Sequence, residues 1–188
     1  MGLPNKEEFM SVIECEKLQV GQKVPDFQAQ ALLADGSFKD IKLVDYRGKW
    51  VVIFFYPLDF TFVCPTEIQS FNKHYEEFKK LGAEIIASST DSVYSHKAWS
   101  DGVLGKVKFP ILGDTNHKVS RNFNVLLEDK GIALRGTFII DPGGILRSAV
   151  VNDLPVGRSV EETIRTLQAL QTGKLTGCGW KPGEKTLN

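Results

Sequence analysis

Trp50-Val-Val-Ile-Phe-Phe-Tyr56, followed by Pro57-Leu-Asp-Phe-Thr-Phe-Val-Cys64-Pro65-Thr-Glu67, is the stretch that decides the fold. The first seven residues are apolar and rich in β-branched and aromatic types. Such a run, ending at a proline, reads as a strand buried on both faces. After Pro65 the period changes. Ile68, Phe71, Tyr75, Phe78 and Leu81 recur at three and four residues, which predicts one helix with a single apolar stripe. Gly82 ends it, as a C-terminal glycine does. Strand, loop and helix therefore follow one another, with Cys64 at the junction.

The same alternation continues outward. Residues 27–34 and 37–43 flank Asp35-Gly36, a hairpin turn signal. Residues 84–90 and 109–112 read as further strands, and residues 92–101 as a short helix. Residues 135–140 and 145–151 flank Asp-Pro-Gly-Gly and predict a late hairpin. Val160, Ile164, Leu167 and Gln171 step along a last helix closed by Gly173. Strands alternating with helices predict an α/β fold, a mixed sheet covered by helices. Residues 1–17 read as an extension, 18–173 as the folded unit, and 174–188 as an arm with little reason to pack. Met10 is a second candidate start.

Composition narrows the function. The 188 residues carry 23 Lys+Arg against 23 Asp+Glu. A chain of zero net charge has no broad attraction for phosphate backbones or anionic lipid, which argues against nucleic-acid binding. The start has no apolar run of the secretory kind, and no 18 apolar residues stand together to span a bilayer. Three cysteines (Cys15, Cys64, Cys178) are too few for a disulfide scaffold, and none is spaced C-x-x-C. Such usage suits a reducing compartment. His74, His96 and His117 stand singly, which argues against a tetrahedral metal site. Walker A, Gly-x-Ser-x-Gly and Gly-x-Gly-x-x-Gly are missing.

Cys64 sits immediately before a proline, a residue favoured at a helix start. Unpaired backbone N–H groups and the helix dipole then point at its sulfur. A free thiol, with a pKa of about 8.5, is only a few per cent ionised at pH 7. A nucleophilic role therefore needs help from the helix end, from a hydroxyl such as Thr61 and from a cation. Position alone leaves Cys64 either a reactive sulfur or a small buried apolar residue.

Pro57-x-x-x-Thr61-x-x-Cys64 resembles the peroxiredoxin signature, and Phe60–Glu67 looks like its commonest form. The similarity runs on through Ser89-Thr-Asp91, His96-x-x-Trp99, Arg135-Gly-Thr-Phe-Ile-Ile-Asp141, Gly157-Arg158 and Trp180-Lys-Pro-Gly183. It covers nearly the whole chain from Leu18 and is similar to the two-cysteine members. The resemblance implies a thioredoxin-like fold and reduction of hydrogen peroxide and small organic hydroperoxides, without metal or organic cofactor. It makes Cys64 the peroxidatic cysteine and Thr61 the hydroxyl that contacts thiolate and peroxide. Arg135 becomes the active-site cation, though pattern alone reads it as an exposed strand-edge arginine. Pro57 becomes the shield of the thiolate. Glu67 and Arg158 become the groups that orient Arg135, though spacing alone reads them as a first-turn carboxylate and an exposed helix start.

The resemblance also makes Cys178 the resolving cysteine, reaching Cys64 of the other subunit of a homodimer; otherwise it is a spare exposed thiol. A thioredoxin-type dithiol would recycle the disulfide. Rings of five dimers and a cytoplasmic location are further expectations, and Cys15 is a bystander. Departures exist. Gly177-Cys178-Gly179 looks shortened against the family's Val-Cys-Pro-Ala. A Tyr-Phe tail is missing, and Asp101-Gly-Val-Leu-Gly105 stands where peroxide-sensitive members carry Gly-Gly-Leu-Gly. Two other classes compete. A thioredoxin-type oxidoreductase would need a cysteine where Thr61 stands. An oligomeric holdase or peroxide-sensing relay would use the same fold without turnover.

Overall fold

The computed structural model describes residues 17–188. Met10, Cys15 and all of the expected extension except Lys17 lie outside the described residues.

The strand at the centre is β3 (Trp50–Phe55), and it forms because both of its faces find apolar partners. The chain reaches it through a hairpin of β1 (Gln28–Leu32) and β2 (Phe38–Lys42), closed around Asp35-Gly36 as expected. After β3 come α1 (Cys64–Lys73), α2 (Tyr75–Lys80), β4 (Ala83–Ser89), α3 (Val93–Trp99) and β5 (Ile111–Gly113). Then follow α4 (Lys118–Asn122), the short pair β6 (Leu126–Leu127) and β7 (Ile132–Ala133), the hairpin β8 (Arg135–Ile140) and β9 (Leu146–Asn152), and α5 (Val160–Gln171). The main sheet has the order β2-β1-β5-β4-β3-β8-β9. β3, β4 and β5 run parallel, and the remaining pairings are antiparallel. This is the mixed α/β sheet the sequence predicts.

Alternation along β3 divides the core in two. Val52, Phe54 and Tyr56 face a layer with Ile68 and Phe71 of α1, Phe78 of α2 and Ile164 and Leu167 of α5. Val51, Ile53 and Phe55 face the other side, with Val24, Phe27, Val119 and Phe123. Phe54 stacks on Phe71 with ring centroids 4.1 Å apart.

Several details depart from the sequence reading. The single helix predicted after Pro65 is two helices. It breaks at His74, whose ring Nδ1 lies 2.8 Å from the Ser70 carbonyl, beside that residue's own backbone N–H. The apolar stripe survives the break. The strand expected at 109–112 begins two residues later and ends one residue later, because Pro110 cannot donate to the ladder and its carbonyl accepts from Ala87 instead. The short α4 has one apolar side chain in the core, Val119, so it gave no periodic signal. The arm packs against α5: Trp180 is buried, Arg165 donates to its carbonyl at 2.9 Å, and its Nε1 donates to Glu184 at 3.1 Å.

Phe71→Ala removes a ring held between β3 and α2. Unfolding in urea should show a loss of about 3–5 kcal/mol.

Candidate active site

Cys64 is the first residue of α1 and is fully buried. Pro65 takes the second helical position rather than the first. Val63 precedes the helix, and no side chain caps it. By contrast, α3 and α5 are capped by Ser92 and Ser159, which accept from Ser95 and Glu162. The positive end of α1 is thus left to whatever charge develops on the Cys64 sulfur.

The cation comes from β8. Its register with β3 pairs Phe54 with Thr137, so Arg135, two residues earlier, falls level with the end of β3 where the loop begins. β8 lies inside the sheet, between β3 and β9, and all six of its residues are buried. Arg135 is therefore not the exposed strand-edge residue that its pattern suggests. Its Nη1 donates to Cys64 Sγ at 3.4 Å and to Glu67 Oε2 at 2.6 Å, and its Nε donates to the Leu154 carbonyl at 2.6 Å.

Glu67 stands three residues after Cys64, nearly one turn along α1, with its side chain 3% exposed. Arg158, just ahead of α5, closes on it with Nε–Oε1 at 2.8 Å and Nη2–Oε2 at 2.9 Å. Arg158 Nη1 also donates to the carbonyls of Phe55 and Gly136, at 2.8 Å each. Neither residue is the solvated charge that spacing alone suggests; the two side chains are buried against each other. Two guanidiniums and one carboxylate leave one excess positive charge out of solvent, and the Cys64 sulfur lies beside it, 3.4 Å from Arg135 Nη1.

The loop between β3 and α1 frames the sulfur. Pro57 is buried, while Leu58, Phe60 and Phe62 form an exposed apolar rim. Thr61 Oγ1 donates to the Leu58 carbonyl at 3.0 Å, so in this geometry its hydrogen folds the loop. Phe60 sits at φ 55, in the left-handed region, with its ring 5.9 Å from that of Trp99. Sequence reasoning missed the anchor of this loop. Asp59 Oδ1 accepts from Tyr56 Oη at 2.8 Å, Oδ2 accepts from Ser95 Oγ at 2.7 Å, and His96 Nδ1 lies 2.8 Å from Oδ2. The signal was present: the Ser89-Thr-Asp91 and His96-x-x-Trp99 motifs supply its partners.

Cys178 is exposed on the arm, beside Arg165, Ala169 and Leu170 of α5. Both it and Cys64 are free thiols. Among the described residues, no group of three or more His, Cys, Asp or Glu side chains is arranged to hold a metal ion.

Comparison with known proteins places this geometry. Residues 20–149 match the AhpC/TSA family. The chain belongs to that family. It is 54% identical over 180 residues to "Peroxiredoxin" of Cynops pyrrhogaster, covering 91% of this chain and 90% of that one. It is 53% identical over 180 residues to "Peroxiredoxin-1" of Gallus gallus, with 91% and 90% covered. The reduced 2-Cys peroxiredoxin of Plasmodium vivax superposes with a TM-score of 0.87 at 37% identity, over 89% of this chain and 91% of that one. AhpC of Enterococcus faecalis superposes at 0.80 and 42% identity, over 82% and 93%. The fold is accordingly thioredoxin-like, and this AhpC/TSA member is an enzyme, a thiol-dependent peroxidase.

Glu67→Gln keeps the shape of the side chain but leaves two buried guanidiniums without a counter-charge. Urea unfolding should show a loss of about 3–5 kcal/mol, and Glu67→Gln combined with Arg158→Met should lose less than the two single changes added. A pH dependence follows from Tyr56. Burial, then the charge of Asp59, pushes its phenol well above the ordinary tyrosine value. The folded chain keeps this proton where the unfolded chain, with a tyrosine pKa near ~10, releases it. Stability is thus full below about pH 10 and falls as pH rises above it. Tyr56→Phe should flatten that fall in urea midpoints taken between about pH 9 and pH 11.

Proposed function

We propose that Cys64 is the reacting sulfur of a two-cysteine hydroperoxide reductase. The observation that carries this reading is the Cys64 sulfur at the uncapped start of α1, 3.4 Å from an arginine held by Glu67, which Arg158 holds in turn. The thiolate attacks the terminal oxygen of a hydroperoxide. The S–O bond forms and the O–O bond breaks. The departing alkoxide or hydroxide takes a proton, leaving an alcohol or water and a sulfenic acid on Cys64. Negative charge moves from sulfur to the leaving oxygen, and Arg135 lies beside its path. In this reading the buried Pro57 shields the sulfur, and the Thr61 hydroxyl, turned from the Leu58 carbonyl, contacts the peroxide; the burial of Pro57 and the nearness of Thr61 to Cys64 in sequence support it.

The Cys178 thiol of a second copy then attacks the sulfenic sulfur. The disulfide forms and water leaves. A dithiol reductant of the thioredoxin type restores both thiols, in the cytoplasm or another reducing compartment. "Thioredoxin peroxidase" of Echinococcus granulosus, 53% identical over 177 residues, supports that choice of reductant. A disulfide needs Cα atoms within about 7 Å, which a sulfur enclosed in a helix start does not permit. The first turn of α1 therefore unwinds before resolution. The working unit is a homodimer, and a ring of dimers is its natural extension.

Peroxide consumption coupled to thioredoxin and its reductase tests the reading. Cys64→Ser should abolish it, and Cys178→Ser should abolish coupled turnover while still losing one thiol per chain to one equivalent of peroxide. A non-reducing gel after that equivalent should show a dimer band in wild type and in neither variant. Full activity in Cys64→Ser would falsify the assignment.

A further inference from the structure

Beneath the active-site loop lies a second buried polar cluster, which the chemistry above does not use. His96 of α3 is fully buried and is engaged at both ring nitrogens. Nε2 lies 3.0 Å from the Leu112 carbonyl oxygen. A carbonyl only accepts, so Nε2 carries a hydrogen. Nδ1 lies 2.8 Å from Asp59 Oδ2. An ionised carboxylate also only accepts, so Nδ1 facing it carries a hydrogen too. The one other partner of Nδ1 is the Tyr56 hydroxyl at 3.3 Å, and that hydroxyl lies closer to Asp59 Oδ1, at 2.8 Å, where its single hydrogen goes.

The neighbours agree with a charged ring. Tyr56 directly follows β3, Asp59 lies in the loop, Ser89 ends β4 and Asp91 follows it, Ser95 comes from α3 and the Leu112 carbonyl from β5. Asp91 Oδ2 accepts the Asp59 backbone N–H at 2.9 Å and Ser89 Oγ at 2.8 Å. Among the described residues, no lysine or arginine pairs with Asp59 or Asp91. A doubly protonated ring is the cation that these two carboxylates otherwise lack among the described residues.

The geometry points to a buried His96 imidazolium–Asp59 carboxylate pair that acts as the positioning device for the loop carrying Pro57, Thr61 and Cys64. This rests on the reading of Cys64 as the reacting sulfur. Asp59 fastens the loop by its side chain to α3 and by its backbone to Asp91, next to Phe60 in its left-handed conformation. Both residues act through the loop and touch neither sulfur nor peroxide.

Two readouts test the pair. In the full-length protein labelled with ¹⁵N-histidine, solid-state spectra assigned with His74→Gln and His117→Gln should show hydrogens on both nitrogens of His96 at neutral pH. In Asp59→Asn the ring should revert to the neutral Nε2–H form, because the new amide donates to Nδ1. A bare Nδ1 in wild type overturns the ion pair whether or not peroxide is consumed. Kinetically, Asp59→Ala should slow oxidation of Cys64 by one equivalent of peroxide by about 10²-fold, the scale of loss for a reacting group displaced by about 1 Å. The KM for the dithiol reductant should stay unchanged. A wild-type oxidation rate in a folded Asp59→Ala overturns the positioning role. Loss of the role of Cys64 itself would show instead as peroxide turnover in Cys64→Ser, with the histidine spectrum unaffected. If Asp59→Ala does not fold, Asp59→Asn carries the same rate comparison, with a smaller loss expected.

Discussion

Charge balance in a space without water is the constraint on which the site depends. Arg135 and Arg158 are both drawn out of solvent, and Glu67 between them neutralises only one of the two. Stripping a guanidinium of water costs several kcal/mol unless its charge and its N–H groups are met, on the order of ~5 kcal/mol when one partner is missing. Backbone carbonyls of Phe55, Gly136 and Leu154 meet N–H groups, but they do not cancel charge. The group that lies beside the excess charge is the sulfur of Cys64, 3.4 Å from Arg135. On the reading of Cys64 as the reacting sulfur, reactivity is tied to stability: the same excess charge that would favour a thiolate is the one the fold must accommodate.

The topology brings these charges together from distant parts of the chain. β3 delivers the loop and Cys64, β8 delivers Arg135 from an interior place in the sheet, and the turn before α5 delivers Arg158. Glu67 joins all three because α1 returns it to the same face nearly one turn after Cys64. A central sheet whose β3 is buried on both faces keeps these positions fixed, since a one-residue slip of β8 would turn Arg135 to the opposite face.

Much of this was legible in the sequence, and the gaps have physical causes. The strand–loop–helix unit around Cys64 was readable because its periods change abruptly at Pro57 and Pro65. Both hairpins were readable from their turn residues. The break at His74 was not, because the apolar stripe from Ile68 to Leu81 stays in phase across it while a side chain competes for one carbonyl. For the site, local pattern identified a cysteine at a helix start and stopped there. Arg135 and Arg158 look like surface residues in any local window; their burial comes from partners 68 and 91 residues away, and only the family resemblance placed them. Asp59 and His96, 37 residues apart, escaped for the same reason.

On the reading of Cys64 as the reacting sulfur, its burial opposes the resolution step. A second sulfur would have to displace the first turn of α1, whose start has no side-chain cap. Thr66 and Glu67 donate only to the Val63 carbonyl at its start. Glu67, by contrast, is clamped by two arginines, so fraying has a natural stop there. Releasing residues 64–66 frees about three residues of chain, and at roughly 3.3–3.6 Å each the sulfur gains a reach of about 10 Å. Fraying past Glu67 would expose both guanidiniums and costs far more. On that reading the clamp around Glu67 also sets how far the helix opens, and Gly177 and Gly179 would leave the backbone around Cys178 free to approach.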